Sequence, residues 1–71
     1  MEREYVESTM ISSVGYDNSN GTAEVEFKSS GEIWQYFDVP ESTYHEFRGA
    51  ESIGKAFNRL IKNSFREARV G

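Results

Sequence analysis

From Thr22 to Lys28 the chain alternates strictly: Ala23, Val25 and Phe27 fall on one side, Glu24, Glu26 and Lys28 on the other. Successive side chains of a strand point to opposite faces, so this pattern predicts a strand half buried in a sheet. Met10–Tyr16 alternates more weakly, with Val14 and Tyr16 on one face, and Glu32–Val39 carries the aromatic and β-branched residues that strands favour. Asp17-Asn18-Ser19-Asn20-Gly21 and Ser29-Ser30-Gly31 lie between these segments, and their Asn and Gly tolerate the positive φ of tight hairpin turns. The spacing predicts a three-stranded antiparallel meander. With Asn18–Gly21 as a four-residue loop and Ser30-Gly31 as a two-residue loop, Val14, Val25 and Tyr36 line up, as do Tyr16 with Ala23 and Phe27 with Trp34. One face is then apolar throughout, and a one-residue slip would exchange the faces. The opposite face takes Ser13, Glu24, Glu26 and Gln35, with Ile11, Ile33 and Phe37 as apolar exceptions.

After the sheet the period changes. Val39-Pro40-Glu41 opens a helix, because proline needs no amide hydrogen in a first turn and Glu41 complements the positive end of the helix dipole. Tyr44 and Phe47 share its inner side, and Gly49 supplies the stop. Ser52 then caps a second helix. Its apolar positions are Ile53, Ala56, Phe57, Leu60, Ile61, Phe65 and Ala68, at steps of three and four, which predicts a helix over 53–68. Lys55, Arg59, Lys62, Arg66 and Arg69 form a basic stripe on the opposite side of that helix, roughly 170° away at 100° per residue. The expected fold is α+β: a three-stranded antiparallel β-meander followed by two α-helices packed on one face. Residues 1–8 form an acidic, polar lead whose order the sequence leaves open, and 9–69 form the single domain.

A chain of 71 residues buries only about 60% of the surface its unfolded form exposes, which leaves little room for a substrate-engulfing cleft. Five Phe, four Tyr and one Trp supply large buried area per residue instead. There is no cysteine, hence no disulfide framework and no thiolate metal site. The start carries no apolar stretch of signal-peptide length, and no apolar run reaches the ~20 residues of a membrane helix. A cytoplasmic protein with no membrane contact is expected. The net charge of −4 conceals a division: residues 1–54 hold eleven acids against Arg3, Lys28 and Arg48, whereas 55–71 hold Glu67 against five cations. Such asymmetry points to one surface suited to anionic partners.

The order of short motifs resembles the KTSC domain, a small module named for the C-terminus of some lysyl-tRNA synthetases and also found alone in bacterial proteins. The matching residues are Val6-Glu7-Ser8-Thr9-Met10-Ile11, Val14-Gly15-Tyr16-Asp17, Ala23-Glu24-Val25-Glu26-Phe27, Gly31, Val39-Pro40 and Tyr44. They continue through Ala50, Ser52, Gly54, Phe57-Asn58 and Ile61-Lys62, so that the resemblance spans about residues 6–65. The family's central Tyr-x-Tyr corresponds to Trp34-Gln35-Tyr36, with Trp in the first place. The resemblance implies a small module for which RNA binding has been suggested by association with the synthetase.

For chemistry, His45 is the only histidine, and its neighbours Thr43 and Glu46 do not share its face, as a nucleophile–base arrangement would require. Glu24 and Glu26 lie on a polar strand face, and the scattered carboxylates lack metal-site clustering. No catalytic residue, metal or cofactor is expected. Trp34 and Tyr36 could stack bases, but the register turns them toward the core. Ser52 and Gly54 read as a helix cap and a close-packing point. The functional expectation is a non-enzymatic module binding RNA, tRNA included, or another polyanion, or else an acidic protein surface, through Lys55, Arg59, Lys62, Arg66 and Arg69, with Asn58 and Asn63 beside them. The alternative is a protein-interaction module, self-association included, using Ile11, Ile33 and Phe37 on the open sheet face.

Overall fold

The strictly alternating segment becomes the middle strand of an open sheet. In the computed structural model, which describes residues 1–71, five strands follow in chain order: β1 (Glu4–Tyr5), β2 (Ile11–Asp17), β3 (Thr22–Phe27), β4 (Ile33–Tyr36) and β5 (Glu67–Arg69). All neighbouring pairs are antiparallel. Between β4 and β5 the chain forms α1 (Glu41–Arg48) and α2 (Ile53–Ala56), the latter running on into a π-helical turn, Phe57–Ile61. The α+β class and the two covering helices are as expected, but the sheet has five strands and not three. The two extra strands are edges of two and three residues, too short to show an alternation.

Val14 pairs with Val25 and Tyr16 with Ala23, as the loop lengths required. The second hairpin differs. Phe27 N–H donates to the Glu32 carbonyl and Gly31 N–H to the Phe27 carbonyl, both at 2.9 Å, so the loop is Lys28–Gly31 and not Ser30-Gly31. Val25 therefore faces Trp34 and Ala23 faces Tyr36, two residues away from the expected pairing. A shift of two preserves the faces, so Trp34 and Tyr36 still point toward the helices.

A second correction concerns Ile11. The register slips between Ile11 and Ser13, where Ile11 pairs with Phe27 but Ser13 with Glu26. This β-bulge inserts one residue into β2 and re-aims the side chains before it. Ile11 leaves the open face for the core and is wholly buried. Of the apolar exceptions, Ile33 and Phe37 remain, both half-buried. Ile33 backs onto Gly71, and the Arg66 guanidinium lies 5.2 Å above the Phe37 ring. The open face therefore carries no apolar patch of the expected make-up.

The closing helix is the largest departure. It stops at Ile61, where Lys62 N–H reaches back five residues to the Phe57 carbonyl at 2.9 Å. Asn63 then adopts the left-handed conformation, φ 64°, a helix-ending geometry that Asn tolerates better than most residues. The chain turns back, and Glu67–Arg69 pairs with β4 through Trp34↔Arg69, Gln35↔Ala68 and Tyr36↔Glu67. Phe65 and Ala68 kept the helical period by coincidence, while β4 offered an unpaired edge whose backbone groups need partners. Ser52 does cap α2, its Oγ accepting from Lys55 N–H at 3.2 Å. Pro40 sits at the N-cap of α1, one place earlier than expected.

The core lies between the helices and one sheet face. Phe47, Ile11, Ile61, Val14, Val25 and Val39 are fully enclosed. Phe57 is the hub, meeting Phe27 and Tyr36 edge-on at ring separations of 5.4 and 5.5 Å. Each such buried side chain contributes about 1.5–3 kcal/mol, with about 0.5–1.5 kcal/mol more for a well-oriented aromatic pair. Tyr16 stacks on Tyr44 at 4.5 Å and donates its hydroxyl to the Val39 carbonyl at 2.6 Å, tying β2 to the start of α1.

Candidate functional site

Because the last three cations of the expected stripe, Lys62, Arg66 and Arg69, lie beyond the end of the helix at Ile61, the stripe is not one helical face. Its members divide by partner instead. Arg59 meets Glu46 at 3.2 Å, Arg66 meets Asp38 at 3.7 Å, and Arg69 meets Glu32 at 3.5 Å. The same holds elsewhere: Arg48 pairs with Glu4 and Arg3 with Glu24. All five arginines thus stand beside a carboxylate. The three lysines, Lys28, Lys55 and Lys62, are exposed and make no ion pair.

Lys55 and Lys62 line two adjoining hollows that share Met10 and Asn58. A hollow of about 390 Å³ lies between the β1–β2 connection and the start of α2, lined among others by Ser8, Thr9, Ser52, Lys55 and Asn58 and by the carboxylates of Glu7 and Glu51. Lys28 closes that end, its Nζ donating to the Ser8 carbonyl at 2.7 Å. Met10 and Asn58 also belong to a second hollow of about 230 Å³, which continues toward β4 and β5. Its walls are Met10, Phe27, Trp34 and Phe57; its polar groups are Tyr36, Asn58, Lys62, Asn63 and Glu67.

The second hollow is shaped by fixed groups. Trp34 Nε1 donates to Glu32 Oε1 at 3.0 Å, and Arg69 holds the other oxygen of that carboxylate, so the indole plane is set. Tyr36 is 3% exposed, its hydroxyl has no protein partner, and no sealed polar atom of the chain lacks one. The hydroxyl therefore opens into the hollow. Burial, and secondarily the negative charge of Glu67, push its pKa to about 12. The side chains of Asn58, Lys62, Asn63 and Glu67 likewise carry no hydrogen bond from the protein.

Sequence reasoning placed Trp34 and Tyr36 on the core side and grouped Lys55, Asn58 and Lys62 on the basic stripe, without joining the two sets. It missed Glu67, which a continuing helix would have carried away from Tyr36. The available signal was Asn63-Ser64, a helix stop directly after Lys62.

The open sheet face is a polar network, not a second site. Arg3 Nε donates to Ser13 Oγ at 2.9 Å, Ser13 Oγ to Glu26 at 2.8 Å, and Gln35 Nε2 to Glu24 at 2.8 Å. Burial pushes the Glu24 carboxyl up, but the hydrogen bonds of Gln35 and Arg3 and the charge of Arg3 outweigh it and hold the carboxyl below its ordinary value. His45 is exposed and reaches only Glu41, at 3.9 Å.

The family model described as the KTSC domain matches residues 7–65. The chain belongs to this family. The crystal structure of a KTSC domain protein from Yersinia pestis superimposes with a TM-score of 0.94 at 37% identity, covering 99% of this chain and 97% of that one. A Stutzerimonas stutzeri protein is 37% identical over 62 residues, which are 87% of this chain and 86% of that protein. A lysine–tRNA ligase of Nostoc punctiforme is 35% identical over 60 residues, 84% of this chain. The match covers 10% of the ligase, so the KTSC domain spans about a tenth of that relative's length. Several residues that carry the family resemblance, Met10, Phe27, Trp34, Tyr36, Phe57, Asn58 and Lys62, gather around the second hollow.

Proposed function

We propose that this KTSC domain is a non-enzymatic RNA-binding module that holds an RNA strand along the two adjoining hollows beside Lys28, Lys55 and Lys62. One observation carries the reading: every arginine has a carboxylate within 4 Å, while no lysine makes an ion pair, and Lys55 and Lys62 line two adjoining hollows, with Lys28 tied to Ser8 at the edge of the first. An exposed pair is worth under about 1 kcal/mol, yet its carboxylate still cancels much of the potential a phosphate would feel. The free ammonium groups are where phosphate attraction survives on an acidic protein. Asn58, Ser8 and Ser52 add uncharged polar groups between them. The likeness to a segment of a lysine–tRNA ligase makes tRNA the first RNA to try.

Three neutralised phosphates give a salt slope near −2 for a single strand, so affinity should fall roughly twentyfold between about 50 and 200 mM salt. The test is a salt titration against tRNA, single-stranded RNA and inorganic polyphosphate. Replacing Lys28, Lys55 and Lys62 by Gln together should flatten the slope. Replacing Arg59 and Arg66 by Gln should leave it nearly intact. Unchanged RNA affinity in the triple lysine variant refutes the assignment.

A further inference from the structure

The second hollow combines features that phosphate attraction alone does not use. It is walled by apolar and aromatic side chains, its one tryptophan is pinned by Glu32, the buried Tyr36 brings a hydroxyl with no protein partner, and the exposed Asn58, Lys62, Asn63 and Glu67 stand around it. A buried polar group is ordinarily satisfied, so the unpartnered Tyr36 hydroxyl at the base of an aromatic recess, with exposed polar side chains around it, marks a place suited to a ligand. Its volume, about 230 Å³, is below the ~300 Å³ at which pockets for drug-sized ligands begin. A single planar ring system fits that space better than a whole nucleotide.

The charges narrow the occupant. Glu67 repels a bare phosphate, and Lys62 repels a quaternary or primary ammonium that an aromatic cage would otherwise attract. A carboxylate and an ammonium around one aromatic recess suit a neutral ring whose edge offers donors and an acceptor side by side. Among RNA bases, guanine presents two adjacent donors, N1–H and the N2 amino group, next to the O6 acceptor. A carboxylate accepts two parallel donors with its two oxygens, the strongest common form of such a contact. Adenine and uracil lack that donor pair.

We propose that this hollow seats one unstacked guanine of a bound RNA strand, its ring against Trp34, its N1–H and amino group on Glu67, and its O6 facing Lys62 and Asn58. The inference rests on the RNA-binding reading above and adds base identity to it. Single-stranded RNA is commonly read in this way, by stacking on an aromatic plate and hydrogen bonding along the Watson–Crick edge. The sugar–phosphate chain then leaves the hollow past Asn58 toward Lys55 and Lys28, along the shared wall of the two depressions.

The test uses the full chain and three heptamers, UUUGUUU, UUUAUUU and UUUIUUU, in which inosine lacks only the amino group of guanine. Trp34 is the sole tryptophan and reports directly through its fluorescence. The guanine heptamer should bind about tenfold more tightly than the other two, with saturable quenching of Trp34. Glu67→Gln should erase that preference while keeping affinity for the adenine heptamer, and an unchanged near-ultraviolet circular dichroism spectrum would show the core intact. Equal binding of all three heptamers, or guanine preference retained in Glu67→Gln, overturns the guanine seat and leaves the lysine reading standing. Binding without any change at Trp34 overturns the seat as well. Failure to bind the heptamers and tRNA alike sinks both.

Discussion

Replacing Arg3 by Ala removes the cation that β1 contributes to the open sheet face. Glu24, which it pairs with, is 6% exposed and keeps only Gln35 as a hydrogen-bond partner afterwards. Breaking a fully buried pair costs about 3–5 kcal/mol because an uncompensated charge stays behind. The Arg3 side chain is 25% exposed, so water reaches the vacated position and the cost falls toward that of a charge-assisted hydrogen bond, about 1.5–3 kcal/mol. Against a total near 4–10 kcal/mol for a domain of this size, that is a large fraction. It corresponds to a fall in melting temperature of roughly 8–16 °C for 2 kcal/mol.

The sign with pH is also fixed. The Glu24 carboxyl is held below its ordinary value, near 4.3 for an unfolded chain, so its contribution is present above that value and is lost as pH falls through the depressed folded one. Urea denaturation of the wild type and Arg3→Ala at pH 7 and at pH 3 reads the difference directly, because the remaining carboxylates titrate in both proteins. The gap should be widest at pH 7 and narrow at pH 3. Adding Glu24→Gln to Arg3→Ala should restore part of the loss, since the stranded charge is then gone. A gap under about 0.5 kcal/mol at pH 7, below the charge-assisted range, refutes the reasoning. So does a gap of the same size at both pH values.

Phe57→Ala should cost about 3–5 kcal/mol by thermal or urea unfolding, since Phe57 is 3% exposed and bears on Phe27, Tyr36 and Phe47. In Gly15→Ala the new methyl group would collide with the Glu2 backbone carbonyl, so β1 should detach, seen as rapid hydrogen exchange of the β1–β2 amides. Asn63→Val should cost about 1–2 kcal/mol, because a β-branched residue is strained at φ 64°, while Asn63→Gly should be near neutral in the same unfolding assay. Tyr36, with its pKa raised to about 12, contributes stability that is whole below pH ~10 and is lost as pH rises through its folded value; base titration should show about 2–3 kcal/mol of this loss missing in Tyr36→Phe.

Where period-2 alternation was long and turn residues were explicit, the fold was legible. β2 and β3 paired as read, and the apolar face survived even the two-residue error in the β3–β4 hairpin, because faces repeat every two residues. Three features were not legible, each for a physical reason. The bulge before Ser13 adds one residue without altering composition, so Ile11 reads as outward on either register. β1 has two residues and no pattern, and its position depends on Arg3 finding Glu24 across β2. At 53–68 local periodicity and tertiary pairing disagreed: helical spacing continued through Phe65 and Ala68, but the free edge of β4 claimed 67–69. Propensity is a weak term beside a row of backbone hydrogen bonds and a buried apolar contact. The site suffered from that one error, since only the return of β5 brings Glu67 beside Tyr36 and Lys62.

The distribution of cations follows from side-chain chemistry as much as from sequence position. A guanidinium is planar, weakly hydrated and able to grip a carboxylate with two donors, so on a chain with twelve acids each arginine finds one and serves to pin neighbouring segments. Arg3 ties β1 to β3, Arg48 ties α1 to β1, Arg59 ties the π turn to α1, and Arg69 ties β5 to the residue before β4. Lysine, a compact and strongly hydrated point charge, gains less from such pairing and stays in water. Part of the acidic surface is thereby knitted into the fold by arginine, and the cations left without an ion pair are Lys28, Lys55 and Lys62. On the proposed RNA-binding reading a net charge of −4 is no obstacle: repulsion from the remaining surface would confine a strand to the hollows beside these lysines. Under that reading few cations suffice to orient a strand on an acidic domain, provided that no carboxylate is paired with them.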